Sequence, residues 1–312
     1  MNRLQVGIDF SQKKADFCLL FPDGQPLEPH VSFTNSRSGY SSAKQLLIDA
    51  LDTYAFDGVD VSGEATGYLW LPFFLQLSAD PDLTLRNMDL FLLNPRWVKW
   101  FKKCFAEDHK CDGKDAFFIT ERTRVHRPDV AWSPPDCLPL RFYTRLRFHI
   151  VQNLAREKCY FSAFLFLKAS SYRCIKPFSD VFGVTSRLVL TQQPPLDELA
   201  DLPVEELASH LCELSGNHLP DPFDNARKLQ QVAKESFSLD ESLALPVQRI
   251  LNLTLGHIRF LEAQLKQVDS WIAAELEHYP VIAQLATIPG VGPVFSSGLG
   301  AEIGGVQRFL QG

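Results

Sequence analysis

Four acidic residues stand where they could act together on a divalent metal ion. Asp9 ends a strand-like segment, Glu64 follows another, and Asp112 and Asp115 lie three residues apart at the predicted start of a helix, on one of its faces. Clustered carboxylates repel one another, and Mg²⁺ or Mn²⁺ relieves that repulsion through oxygen ligands. Two such ions can activate a water and stabilise the leaving oxygen in phosphodiester cleavage. Taken singly, each acid also fits a turn, a loop or a helix cap.

The elements that must position these acids follow from hydrophobic periodicity and turn residues. Three strands joined by short connections precede a run of alternating helices and strands, which predicts a mixed five-stranded sheet with helices on its faces. This is the element order of an α/β ribonuclease H-like fold. If the first and fourth strands are neighbours, their ends bring Asp9 and Glu64 to one edge of the sheet. The predicted elements are strands 3–10, 15–21 and 30–34, helix 43–54, strand 59–62, helix 68–77, strand 88–93 and helix 96–104.

From about Leu138 onward the pattern is wholly helical. Residues 140–167 mix cations with apolar residues, and the Pro-rich stretch 192–201 is predicted to be a connection. Apolar residues at three- and four-residue spacing from Leu243 to Leu276 predict one helix of about 36 residues. Its length and period indicate a coiled-coil arm. The alternative is a long helix packed within its own domain.

Charge is distributed unevenly along the 312 residues, whose net charge is −6. Residues 86–190 hold 19 Lys and Arg against 10 Asp and Glu, whereas the remainder holds 12 against 27. A local basic surface of this kind favours phosphate binding, although a solvated helix face is the alternative. The sequence contains no apolar run of membrane-spanning length, and its seven cysteines form no Cys-x-x-Cys pair, which predicts a cytoplasmic chain with reduced thiols.

Cations near the predicted acidic site are candidates for holding nucleic-acid phosphates. Trp97, Trp100 and Phe101 lie among them and are expected to pack in the core, with stacking on bases as the alternative. His109 is interpreted as a loop residue. The candidate phosphate contacts are Arg96, Lys99, Lys102, Lys103, Arg122 and Arg124.

Five segments in this order resemble the insertion sequence 110 transposases, the DEDD family that includes Piv-like DNA invertases. Any one of them alone would be weak, but the series extends over essentially the whole chain. The segments are GIDFS at 7–11, GEATGYLW at 63–70, NPRWVKWF at 94–101, DGKDA at 112–116 and LATIPGVGPVFSSGLGAEIG at 285–304.

The resemblance implies a RuvC-like domain whose catalytic, metal-binding acids are Asp9, Glu64, Asp112 and Asp115, with two Mg²⁺ or Mn²⁺ ions. It implies a transposase or site-specific recombinase that acts on element ends and target DNA, in some members guided by an element-encoded RNA. A homo-oligomer formed through the arm and a bacterial, nucleoid-associated location are also expected. The implied domains are 1–135 (catalytic), 136–280 (helical, with the arm) and 281–312 (the start of a C-terminal transposase domain, helix-hairpin-helix-like).

Two features depart from the family pattern. Cys111 stands where the family usually has Thr, and Gly113 follows the third acid. The family also continues past the 285–304 segment to a serine in a Gln-Ser-Gly-type stretch that is thought to attack DNA, and this sequence ends at Gly312 before such a stretch. We therefore expect a truncated C-terminal domain without a nucleophilic serine.

The Gly290 and Gly292 hairpin is a candidate clamp on the DNA backbone, because glycines allow close approach and free N–H groups bind phosphate. The alternative is a simple turn between helices. Ser296 and Ser297, in the following helix, are interpreted as packing residues.

Two other functions compete with an active recombinase. The first is a truncated, non-catalytic remnant that folds and binds nucleic acid. The second is an actin-like sugar kinase, which would need further glycine-rich phosphate motifs that the sequence lacks.

Overall fold

The computed structural model describes residues 2–104, 114–191, 198 and 201–304. The chain forms two compact units, Met1–Pro135 and Asp136–Gly312. The first unit contains β1 (Arg3–Phe10), β2 (Lys14–Leu20), β3 (Pro26–Thr34), α1 (Arg37–Tyr54), β4 (Gly58–Glu64), α2 (Leu71–Ser78), α3 (Pro81–Thr84), β5 (Met88–Leu93), α4 (Pro95–Lys103) and α5 (Lys114–Val125).

The regular elements among the described residues of the second unit are all helices. Its elements are α6 (Leu138–Lys168), α7 (Tyr172–Ile175), α8 (Val184–Thr191), α9 (Val204–Ser215), α10 (Pro222–Glu235), α11 (Glu241–Leu276), α12 (Pro280–Gln284), a 3-10 turn (Leu285–Thr287) and α13 (Pro293–Ile303).

The five strands form one mixed sheet in the order β3-β2-β1-β4-β5. The β1–β2 and β2–β3 pairs are antiparallel, and β1–β4 and β4–β5 are parallel. The predicted mixed five-stranded sheet is therefore confirmed, and it is compatible with an α/β ribonuclease H-like fold. β3 is longer than predicted because pairing with β2 extends it back to Pro26.

Alternating side chains divide the sheet into two differently covered faces. On one face Phe10 and Phe17 contact Phe73 of α2, with ring centroids 5.6 and 5.8 Å apart, and Phe73 in turn meets Tyr40 of α1. On the other face, Cys18 of β2 packs against Ala116 of α5. Helix α4 lies beside α5 on that second face, where its Val98 packs against Leu93 and Ile119.

Helices α6 and α11 pack against each other in antiparallel orientation. Ion pairs join them along their length: Arg147–Asp269 at 2.6 Å, Lys158–Glu262 at 3.1 Å and, through a histidine, Glu157–His257 at 3.6 Å. The 36-residue helix α11 matches the predicted long helix, Leu243–Leu276.

The apolar stripe of α11, which predicted a coiled-coil arm, contacts apolar residues of the same chain. Val268, Ile272 and Leu276 pack against Ile150 and Leu140 of α6. This agrees with the alternative interpretation, a long helix packed within its own unit. The coiled-coil arm and the homo-oligomer formed through it stay predictions.

The described cysteines form no disulfides. Among the helices in the described ranges, none combines the length and apolarity required to cross a membrane.

Candidate active site

Asp9 and Glu64 lie at the same edge of the sheet because β1 and β4 are parallel neighbours. The register pairs Ile8 with Gly63, so the next residue of each strand is one of the two acids. Alternation places Asp9 on the face of Gly7, and Glu64 on the face of Ser62. The backbone around both acids is thus fixed by sheet hydrogen bonds.

Helix α5 brings Asp115 to this edge by packing unusually close to β1. A Cβ on Gly7 would lie 2.3 Å from Thr120 Oγ1 and 2.5 Å from the Ala116 carbonyl oxygen, so only glycine permits this approach. The Thr120 hydroxyl donates across to the carbonyl of Cys18 at 3.2 Å. Asp115, in the first turn of α5, is held over the end of β1 as a result.

Burial and like charge act on Asp9. Burial, the largest cause, raises the pKa of its carboxyl above the ordinary value, and repulsion from Asp115 and Glu64 adds to this, whereas Lys102 opposes it. Three described acids therefore share one electrostatic environment with more negative charge than the nearby cation neutralises.

Asp16, a neighbouring acid, has its pKa shifted in the opposite direction. It stands opposite Asp9 in the β1–β2 register. Burial alone would raise its pKa, yet the pKa is lowered, because hydrogen bonds from Ser32, Lys14 and His30 outweigh burial. Among the described residues, the main influences on the Asp9 carboxyl are burial and neighbouring charges, with no comparable set of hydrogen-bond donors, so this carboxyl would gain from an added cation.

Two neighbouring side chains hold the other acids of this site. Thr66 donates its hydroxyl to Glu64 Oε1 at 2.7 Å and thereby orients that carboxylate. Lys102 of α4 donates to Asp115 Oδ1 at 2.7 Å. Lys102, a predicted phosphate contact, turns toward the acids in the structure and supplies positive charge to them. The Lys102 contact had no signal in the sequence, because it depends on how α4 and α5 meet in space, whereas Thr66 and Glu64 are only two residues apart.

The donor set suits a hard divalent cation. Mg²⁺ and Mn²⁺ prefer carboxylate oxygens as ligands, and three carboxylates with excess negative charge attract such a cation. Among the residues with described positions, no group of three or more Asp, Glu, His or Cys side chains is already drawn together tightly enough to hold a metal. Asp112, Cys111, Gly113 and His109 lie outside the described residues.

The segment that forms this edge of the sheet matches a model of a known protein family. Residues 6–167 match the family model of the DEDD transposases of insertion sequence 110, described as a transposase. The chain belongs to this transposase family. The matched segment contains all four predicted acids and the whole of α4 and α5. No curated protein matches the chain significantly. Membership supports a transposase or recombinase role, DNA binding and a general dependence on divalent metal.

Helix α4 of this transposase presents its cations in two directions. Arg96, Lys99 and Lys103 are exposed, whereas Lys102 is turned toward Asp115. On α5, Arg122 donates to the His126 carbonyl at 2.8 Å. The exposed cations remain available to an anionic ligand in solvent.

Arg124, another predicted phosphate contact, is held elsewhere. Its guanidinium donates twice to the Glu121 carboxylate, at 2.9 and 2.8 Å, and it lies near Pro22, at the opposite edge of the sheet from Asp9. We therefore leave Arg124 out of the proposed interface.

The expectation that the α4 aromatics pack in the core is wrong for both tryptophans. Trp97 is 51% and Trp100 62% exposed, whereas Val98 is fully buried and Phe101 is half-buried. Trp97 with Trp100, and Val98 with Phe101, form two apolar stripes of the same i, i+3 spacing in this helix. Packing of Val98 against Leu93 and Ile119 decides which stripe faces inward.

Neither serine of the helix that follows the C-terminal turn is accessible to solvent. Ser296 and Ser297 are fully buried, and their hydroxyls donate to the carbonyls of Pro293 and Val294. Their interpretation as packing residues is consistent with this burial. Gly290 has a φ of 85°, in the left-handed region, and Gly292 caps α13 with open space where a Cβ would be. The glycines thus form a turn whose backbone is open to solvent.

Proposed function

We propose that this transposase is a metal-dependent DNA recombinase whose first unit cleaves DNA strands. Asp9, Glu64, Asp112 and Asp115 would hold two Mg²⁺ or Mn²⁺ ions. Such ions, when bound, supply an activated water and stabilise the leaving oxygen of a phosphodiester. The observation that carries this proposal is geometric: the parallel β1–β4 pair brings Asp9 and Glu64 to one edge of the sheet, with Asp115 in the first turn of the neighbouring α5.

The chain's own side chains would prepare this pocket for a cation and for a phosphate. Thr66 fixes the rotamer of Glu64, so less side-chain freedom is lost when that acid becomes a ligand. Lys102 neutralises Asp115 before loading and can exchange that partner for a DNA phosphate afterwards. The exposed Arg96, Lys99 and Lys103 would hold the flanking backbone.

We also propose roles for the remaining regions. Residues 1–135 would be the catalytic domain, 136–280 a helical region, and 281–312 a transposase-specific segment whose Gly290 and Gly292 turn contacts a DNA backbone. The support for the last role is the open backbone of that turn. A guide RNA remains a prediction from the family resemblance.

A cleavage assay tests the proposal. The full chain is incubated with supercoiled plasmid and Mg²⁺ or Mn²⁺, and nicked product is measured for the unaltered protein, Asp9→Asn, Glu64→Gln and Asp49→Asn. Asp49 is an exposed acid on α1 whose partner is Gln45, which makes it a matched control. We expect nicking that Asp9→Asn and Glu64→Gln abolish and that Asp49→Asn leaves intact. Equal nicking by all variants would contradict the assignment.

A second candidate is a chain that binds nucleic acid without joining strands. The burial of Ser296 and Ser297 favours it, because neither hydroxyl is accessible to a phosphate. The discriminating measurement is covalent capture: labelled DNA is incubated with the chain, denatured and separated by mass. DNA binding without a covalent adduct would support this candidate, and an adduct would exclude it.

A further inference from the structure

Two exposed tryptophans on α4 form a surface that the metal site does not use. Trp97 and Trp100 are three residues apart, so their side chains neighbour each other on one face of the helix. Val98, between them in sequence, is fully buried and attaches the helix to the sheet. The two indoles are therefore not required by the described core.

Cations surround the two indoles. Arg96 is four residues from Trp100, and the exposed Arg96, Lys99 and Lys103 recur at three- and four-residue spacing along the helix, so they form a stripe beside the tryptophans. The guanidinium carbon of Arg122 lies 5.9 Å from the ring centroid of Trp97, a cation–π contact that adds positive charge next to that ring. We call Arg96, Trp97, Lys99, Trp100 and Lys103 the α4 platform.

This composition fits unpaired nucleotides better than a duplex. Every unpaired base exposes a flat face on which an exposed aromatic ring can stack. Neighbouring cations can then bind the phosphates of the same strand. A duplex hides its base faces and would use only the cations. A protein partner with an acidic, apolar surface fits less well, because it would leave the rings' stacking capacity unused.

The other side of the same helix reaches the acids. Lys102, on α4, donates to Asp115 at 2.7 Å, so one short helix links the α4 platform to the predicted cleavage pocket. A DNA strand entering that pocket would pass α4. We propose that the α4 platform binds an unpaired DNA segment beside the cleaved strand by stacking its bases on Trp97 and Trp100. This inference rests on the proposed function for its choice of DNA.

The test compares oligonucleotides that have the same phosphates but differ in bases. Fluorescein-labelled dT12 and an abasic strand of equal length are titrated with the full chain in EDTA, and binding is followed by anisotropy. We expect the unaltered chain to bind dT12 about tenfold or more tightly than the abasic strand. Trp97→Ala/Trp100→Ala should abolish this preference while keeping abasic binding, and Trp97→Phe/Trp100→Phe should retain part of it.

A cation variant and two further ligands complete the design. Arg96→Ala/Lys99→Ala/Lys103→Ala should weaken binding of dT12 and of the abasic strand alike. Equal affinity of the unaltered chain for both strands would overturn the proposal, and so would tighter binding of a 12-bp duplex or of U12 than of dT12. If Trp97→Ala/Trp100→Ala instead converts a dimer to a monomer in sedimentation and leaves the base preference unchanged, the surface is an interface between copies and the proposal is wrong.

The design also separates this inference from the cleavage proposal. Binding in EDTA needs no metal, so Asp9→Asn should keep the preference for dT12 even where nicking is lost. A chain that nicks DNA but shows no base preference would retain the cleavage proposal and lose this one. Because both indoles are exposed, thermal unfolding of the Trp→Ala variant should match that of the unaltered chain, which confirms that its folding is intact.

Discussion

The acids at the two edges of the sheet have opposite electrostatic surroundings. At the amino ends of β1, β4 and β5, the nearly buried Asp60 is paired with Arg3 at 2.8 Å and with Arg127 at 3.1 Å, and both arginines also bind Asp89. At the carboxyl ends, Asp9 shares its surroundings with Asp115 and Glu64, and the charge of Lys102 opposes theirs.

The acids at the amino edge stabilise the fold, whereas those at the carboxyl edge are proposed to bind metal. Paired acids at the amino edge are satisfied by the fold, so they need nothing further from solvent. Acids at the carboxyl edge are left with a charge excess that the fold alone does not remove, and perturbed groups of this kind favour functional sites. Substitutions at the two edges should therefore have opposite consequences for stability and for metal binding.

The largest effect is expected at the amino edge. Asp60→Asn removes the buried carboxylate that Arg3 and Arg127 share, and the cost should be about 3 kcal/mol, the lower end for a buried pair, because both arginines keep Asp89. Urea unfolding measures the free energy of unfolding, and Mn²⁺ titration of the folded variant should give the unaltered affinity. A loss of stability below about 1 kcal/mol, typical of exposed pairs, would show that the two edges do not differ in this respect.

The next effect concerns the close contact that places Asp115. Gly7→Ala puts a methyl group 2.3 Å from Thr120 Oγ1, and the resulting overpacking costs about 1–3 kcal/mol. Because α5 must move away from β1, Mn²⁺ affinity should fall together with thermal stability. Gly256→Ala in α11 is the control, since nothing lies within 4 Å of its added Cβ and alanine favours a helix. Unchanged metal binding in Gly7→Ala would mean that the contact does not position the site.

A smaller effect, of opposite sign, is expected for Asp9→Asn without metal. The pKa of Asp9 is raised in the folded chain, so its ionisation is less favourable there than in the unfolded chain. Its contribution to stability is present below the unfolded pKa of 3.8 and is lost as pH rises through the higher folded value. Asp9→Asn removes the ionisable carboxyl, so the variant should not lose this stability as the pH rises.

The measurement is urea unfolding in EDTA at several pH values from acid to neutral. The stability gained by Asp9→Asn over the unaltered chain should grow with pH and then level off. A gain that is the same at every pH would indicate a packing effect, and a loss at neutral pH would contradict the excess of negative charge.

The smallest effect on stability is expected at Lys102. Its partner Asp115 is 59% exposed, and such pairs contribute about 0–1 kcal/mol. Lys102→Met should nevertheless tighten Mn²⁺ binding in the absence of DNA, because no resident cation then neutralises the acids. Lys103→Met, an exposed neighbour, should leave the affinity unchanged. Weaker Mn²⁺ binding in Lys102→Met than in Lys103→Met would contradict this role.

Much of the sheet and its acids could be predicted from the sequence. Strand β5 spans Met88–Leu93 as its buried apolar run predicts, and the helix through Leu276 follows its three- and four-residue spacing. The adjacency of Asp9 and Glu64 needed only the hairpin-then-crossover order, because that order makes β1 and β4 parallel neighbours.

The remaining features depend on choices that periodicity leaves open. The apolar stripe of α11 predicts a partner helix, but not that the partner is α6 of the same chain. Two equally spaced apolar stripes in α4 leave undecided which one faces solvent. The inward turn of Lys102 and the approach of α5 at Gly7 are set by tertiary packing, which no local spacing encodes.

Calorimetric titration of the DNA-free chain with Mn²⁺ tests the central claim most directly. We predict binding of two ions to the unaltered chain, loss of binding in Asp9→Asn and in Glu64→Gln, and unchanged binding in Asp49→Asn. Equal Mn²⁺ binding in all four proteins would contradict the account, because the unneutralised acids at the carboxyl edge would then not be a metal site.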